Sequence, residues 1–145
     1  MIRYLVDTST LSALAPDRGR VDEKLLQFIE SHGSELYISS MTVAEIAKGI
    51  AKLRRMGAQN RANQLETWLE AIEARYAERI LPFDTRAARI AGDMDDRAAA
   101  AGRHPGLGDI IIAATAVSTG MTVLAANKRH FESLGVACRD PAAAT

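Results

Sequence analysis

Three acids in this sequence, Asp7, Glu45 and Asp109, each stand where an apolar run or a Gly-rich stretch gives way to a helical pattern, and none has Lys or Arg as an immediate neighbour. Brought together in a crevice of low dielectric, three such carboxylates would repel one another strongly. A divalent cation relieves that repulsion. Oxygen ligands without His or Cys companions favour Mg²⁺ or Mn²⁺ over Zn²⁺. The chemistry such a centre supports is hydrolysis of a phosphodiester, with activated water as the attacking group and the ion offsetting charge in the transition state.

Each acid also has a purely structural reading. Asp7 can cap a turn of helix begun by Thr8 and Ser9, Thr42-x-x-Glu45 fits a capping box, and Asp109 can be the N-cap of the apolar helix that follows it. What separates the readings is the position of the elements.

Arg3 to Val6 reads as a buried strand ending at Asp7, and Leu36 to Ile38 as a second. Between them Leu25, Leu26, Phe28 and Ile29 keep helical spacing from Asp22 to His32, and Gly33 stops the pattern. Thr42 to Arg55 is an amphipathic helix with Val43, Ile46, Ile50 and Leu53 on one face; it pairs with a helix from about Asn60 to Ala77 as a helical hairpin. Ile80 and Leu81 form a short strand, Asp84 caps a helix that Gly102 closes, and Arg103 to Gly108 is a loop. Asp109 then opens a helix, Ile110 to Thr119, that is apolar almost all round and therefore belongs in the core. Thr122 to Ala125 and Val136 to Cys138 are the last strands.

This β-α alternation with continuously apolar strands describes an α/β fold, a parallel sheet between helices. In such a sheet ligands bind beyond the carboxyl ends of the strands, where Asp7 stands and towards which Glu45 and Asp109 are directed. We expect one domain over residues 1–140 and a flexible Ala-rich tail over 141–145.

Composition narrows the alternatives. Cys138 is the only cysteine, which excludes an intramolecular disulfide and a thiolate zinc site. No apolar run has the length of a membrane span, and the first residues lack a secretory core, so a cytoplasmic protein is expected. The 18 basic and 18 acidic residues cancel, so nucleic acid must be held locally, through metal or through a partner.

The segments YLVDTSTLSAL, ISSMTVAEIAKGI and GDIIIAATAVSTGMTVLAANKRHF, in this order and separation, resemble the PIN-domain nucleases, and within them the VapC-type and FitB-type bacterial toxins. The resemblance spans nearly the whole chain. It implies a three-layer α/β/α fold with a central, mostly parallel sheet, Mg²⁺- or Mn²⁺-dependent RNA cleavage, a homodimer, and a cognate antitoxin that blocks the active site. Asp7, Glu45 and Asp109 match the family's three acids, which would be catalytic and metal-binding; Ser9 matches a position that supports them. The chain departs from the family at Ala125, where Thr or Ser is usual, at Asn127, where Asp or Asn occurs, and at His130, which precedes Phe131 where an acid is frequent. Asn127 brings an amide but no charge, so weaker metal binding is implied and the number of metals stays open.

Secondary candidates follow from placement. Lys48 and Lys52 rise from the helix of Glu45 and can meet RNA phosphates or simply solvate that face; Arg103 and His104 can touch substrate ahead of Asp109. Asp93, Asp95 and Asp96 read as a solvated helix surface, His130 as exposed, and Trp68 as packing or a contact for antitoxin or a second subunit. An antitoxin segment is expected beside the helical hairpin with a basic side chain directed at the carboxylates. Two other functions compete: a partner-binding domain that has lost catalysis, favoured by Ala125 and Asn127, and an aspartate-based phosphatase or phosphoacceptor. The latter lacks a second aspartate two residues after Asp7, where Ser9 stands, and any Gly-rich phosphate loop.

Overall fold

The computed structural model describes residues 1–143, so the end of the expected tail, residues 144 and 145, lies outside the described residues. Tyr4, Leu5 and Val6 are all buried, and they alternate: Tyr4 and Val6 join one apolar cluster and Leu5 the other. A strand covered on both faces behaves in this way. This strand, β1 (Tyr4–Val6), is central in a sheet with β2 (Leu36–Ser39), β3 (Ile80–Leu81), β4 (Thr122–Leu124) and β5 (Cys138–Arg139), in the order β3-β2-β1-β4-β5. All four pairings are parallel.

The helices are α1 (Thr8–Ser12), α2 (Glu23–Ser31), α3 (Ser40–Arg55), α4 (Gln59–Tyr76), α5 (Thr85–Ala100), α6 (Leu107–Thr119) and α7 (Arg129–Glu132). Leu25 and Phe28 of α2, Ile46 and Ile50 of α3 and Leu69 of α4 pack with Tyr4, Val6, Leu36 and Ile38. On the opposite face Met94 and Ala98 of α5, Ile110, Ile112 and Ala113 of α6 and Phe131 of α7 pack with Leu5 and Val123. The three layers and the parallel sheet are those expected. Among the described residues no helix is long and apolar enough to cross a membrane.

Two helix starts differ from the sequence reading, and both differences bear on the acids. α3 begins at Ser40, because the buried Ser39 hydroxyl accepts from the Met41 amide at 3.0 Å and caps the helix three residues before Thr42. α6 begins at Leu107 with Gly106 as its cap, so Asp109 sits inside the first turn. The glycines at 106 and 108 had weakened the helical pattern there without preventing the helix. α7 was not anticipated. The last strand also falls one to two residues later than expected, and Pro141 to Ala143 continue in a turn where Asp140 Oδ1 accepts from the Ala142 amide at 2.8 Å.

The order of strands creates the crevice. From β1 the chain moves outward on one side through β2 and β3, then crosses to the other side for β4 and β5. The two crossovers part at the carboxyl ends of β1 and β4, the usual ligand position of an open parallel sheet. The Asp7 amide donates to Leu124 O at 3.1 Å and ties the end of β1 to β4 at this point.

Candidate active site

Asp7 leaves β1 in extended conformation and caps α1, its Oδ1 accepting from the Thr10 amide at 2.9 Å. Its structural reading is therefore correct, but a cap uses one oxygen. Oδ2 accepts from the Ser9 hydroxyl at 2.9 Å. Asp7 is only 7% exposed, and no Lys or Arg of the described residues lies within ion-pairing distance of it or of Glu45.

For Glu45 and Asp109 the structural readings fail. Ser39 caps α3, and Thr42 faces α1 instead: its buried hydroxyl lies 2.9 Å from that of Thr8. Thr8 in turn donates to Glu45 Oε1 at 2.7 Å, so a hydroxyl pair beside Asp7 holds the Glu45 carboxylate. The other wall is Gly108. A Cβ built there would fall 3.0 Å from Glu45 Oε2 and 3.2 Å from its Cδ, so any larger residue would have to push that carboxylate back by a few tenths of an ångström. Asp7 and Glu45 are thus joined through Thr8, while Glu45 lies against the residue that precedes Asp109.

Asp109 Oδ2 lies 3.4 Å from His130 Nδ1, and His130 Nε2 lies 3.3 Å from Asn127 Nδ2. Asn127, His130 and Asp109 thus stand in a row, with the Asn127–His130 contact its hydrogen bond and the imidazole set beside the carboxylate. That imidazole is exposed, as expected, but it is paired. No local sequence signal joins His130 to Asp109, since they stand in different helices, α7 and α6. Thr8 and Gly108 escaped the sequence reading for the same reason, although both adjoin acids that were singled out.

An open groove of about 390 Å³ runs from Glu45 between α3, α4 and the turn at Pro16–Arg18. Ile46, Leu53, Leu65 and Trp68 line its apolar part, and Lys52 stands at its edge with Arg18; Lys48, on the exposed side of α3, does not line it. Arg61 of α4 pairs with the well-covered Asp17 at 2.8 Å and fastens that turn to the hairpin. On the far side of Asp109 a second cavity, of about 400 Å³, is lined by Arg103 and His104. Asp93, Asp95 and Asp96 point into solvent on α5, as expected. Burial pushes the Cys138 thiol up to about 11, with Glu132 adding to the effect, which removes it as a nucleophile at neutral pH.

Among the described residues no group of three or more His, Cys, Asp or Glu side chains is drawn tight enough to enclose a metal ion. The donor set nevertheless fits a hard divalent cation. Asp7 is a nearly buried carboxylate with hydrogen bonds and no counter-charge, and Glu45 Oε2 has no partner among the described residues. An uncompensated pair of acids in a covered crevice is the condition that a cation resolves.

The PIN domain family profile matches residues 4–136. The chain is 34% identical over 142 residues to VapC ribonuclease Y4jK of Sinorhizobium fredii, covering 94% of this chain and 96% of the relative. It is 33% identical over 139 residues to Toxin FitB of Neisseria gonorrhoeae, with coverage of 94% and 96%. Among solved structures, FitAcB from Neisseria gonorrhoeae superposes with a TM-score of 0.82 at 32% identity, covering 95% of this chain and 97% of the other. DNA-bound VapBC from Salmonella typhimurium gives a TM-score of 0.79 at 25% identity, covering 97% and 99%.

Proposed function

Because the chain belongs to the PIN-domain family, we propose that it is the toxin of a toxin–antitoxin pair, a metal-dependent endoribonuclease that hydrolyses RNA phosphodiester bonds. The observation that carries this reading is the buried, unpaired Asp7 at the parting of the crossovers, with Glu45 fixed beside it through Thr8. Asp7, Glu45 and Asp109 would hold the cation, for which Mg²⁺ or Mn²⁺ suits the all-oxygen set. When bound, the ion would lower the pKa of water and offset charge on the reacting phosphate.

The protein's own part is positioning. Ser9 and the Thr10 amide orient Asp7, Thr8 and Gly108 fix Glu45, and His130, bonded to Asn127, stands beside Asp109. Glu45 Oε2, free of hydrogen bonds, is the atom left to face the ion or to take a proton from attacking water. Lys52 beside Glu45, with Lys48 exposed on the same helix, can meet a substrate phosphate. The apolar groove of Ile46, Leu53, Leu65 and Trp68 fits an antitoxin segment that covers the carboxylates with a basic side chain, and the active unit is a cytoplasmic homodimer. The single domain takes in residues 1–140.

The test is incubation of total cellular RNA with the antitoxin-free protein in Mg²⁺, Mn²⁺ or EDTA, beside a folded Asp7→Asn variant. Discrete fragments that need metal, disappear in the variant and are suppressed by the product of the neighbouring gene are expected. Absence of cleavage under every condition would transfer the function to partner binding alone.

A further inference from the structure

We infer that the cavity on the far side of Asp109 is a subsite for a backbone phosphate of the RNA strand, held by Arg103 and Arg129; this rests on the ribonuclease reading above. The cavity, of about 400 Å³, is lined by Arg103, His104, Asp109, Arg129, His130 and Ser133. Arg103 follows the end of α5 and Arg129 opens α7, so two guanidinium groups from separate elements converge beside one of the proposed metal-binding acids. Arg103 is placed by backbone: Gly102 turns the chain at φ 75°, and the Arg103 amide donates to Ala98 O at 2.8 Å.

Neither guanidinium has a hydrogen bond or an ion pair among the described residues, in contrast to Arg54, Arg61 and Arg79. In a chain whose formal charges cancel, two unengaged Arg around a single carboxylate form a local cationic excess. A guanidinium fork matches phosphate oxygens in pairs, and both side chains are exposed, so engaging them costs little desolvation. The groove beside Glu45 is different in kind: its apolar lining suits a protein segment. The carboxylates therefore stand between a polypeptide-binding side and a phosphate-binding side. An RNA strand whose scissile phosphate reaches Asp109 carries its neighbouring phosphate into the basic cavity.

The experiment titrates a fluorescein-labelled single-stranded RNA, one that the active chain cuts, against Asp7→Asn protein with and without Arg103→Ala and Arg129→Ala, at several salt concentrations. Both arginines are exposed and unbonded, so the substitutions leave the fold intact. The double variant is expected to bind about tenfold more weakly and to lower the slope of log Kd against log salt by about 1.4, as for two lost single-strand phosphate contacts. In the active background KM rises while kcat stays within about twofold. Arg103→Lys and Arg129→Lys restore the salt slope. An unchanged slope and KM, with the parent chain cutting the same RNA, overturns the subsite and leaves the ribonuclease reading standing. A parent chain that neither binds nor cuts RNA overturns both. Loss of affinity for the neighbouring gene's product with RNA binding intact gives the cavity to a protein partner and likewise overturns the proposal.

Discussion

Thr8 donates to Glu45 at 2.7 Å, and Gly108 leaves the space that the same carboxylate occupies. Neither residue need touch substrate, yet both decide where Glu45 stands. Removing a group that orients a metal-binding side chain typically costs about 10- to 100-fold in affinity or activity. We expect Thr8→Val to lower RNA cleavage and Mn²⁺ affinity together by this amount, with Thr8→Ser restoring both. Gly108→Ala should separate activity from stability. The new methyl group displaces Glu45, while alanine within α6 gains up to about 1 kcal/mol of helix preference. Calorimetric Mn²⁺ titration and thermal unfolding read the two effects independently; an alanine variant with native metal affinity would show that Glu45 needs no such space.

At the scale of elements, the sequence made the helices and strands legible because their burial is periodic: Leu25, Phe28 and Ile29 face the core as read, as do Ala87, Ala91, Met94 and Ala98. What it concealed was the start of α3 and α6. Thr42-x-x-Glu45 reads locally as a cap, and only the Thr8–Thr42 contact across 34 residues shows that Thr42 is engaged elsewhere while Ser39 caps the helix. The Asp109–His130 pair was hidden for a similar reason, since nothing in a local window reports a contact between separate helices. The three acids of the proposed site stand out in the sequence because each lies at the edge of a strongly apolar element. A cap at Ser39 predicts that Ser39→Ala destabilises the protein by about 1 kcal/mol in urea unfolding. Thr42→Val, which leaves the cap in place, should instead be felt through Thr8 and Glu45 as lost activity.

For the whole molecule, the unpaired acids at the parting of the crossovers couple metal to stability. An ion that binds only the folded chain stabilises it by about 2.7 kcal/mol at a hundred times its Kd. Mg²⁺ or Mn²⁺ should therefore raise the melting temperature of the native protein, with little effect on Asp7→Asn. In EDTA the order reverses: Asp7→Asn removes a buried, uncompensated charge and should melt at or above the native chain. Differential scanning calorimetry with and without EDTA checks both, and an equal response of the two proteins to metal would remove Asp7 from the ion's ligands.

The bond between the Asp7 amide and Leu124 O, and that from the Ala126 amide to the Thr10 hydroxyl across 116 positions, also have a consequence in time. A ribosome delivers the acid at position 7 early, but the strand that clamps it emerges more than a hundred residues afterwards. Glu45 and Asp109 are likewise spread along the way. The nascent polypeptide is consequently unarmed through most of its own synthesis, and the message that encodes it is read past β4 before the cutting centre can close.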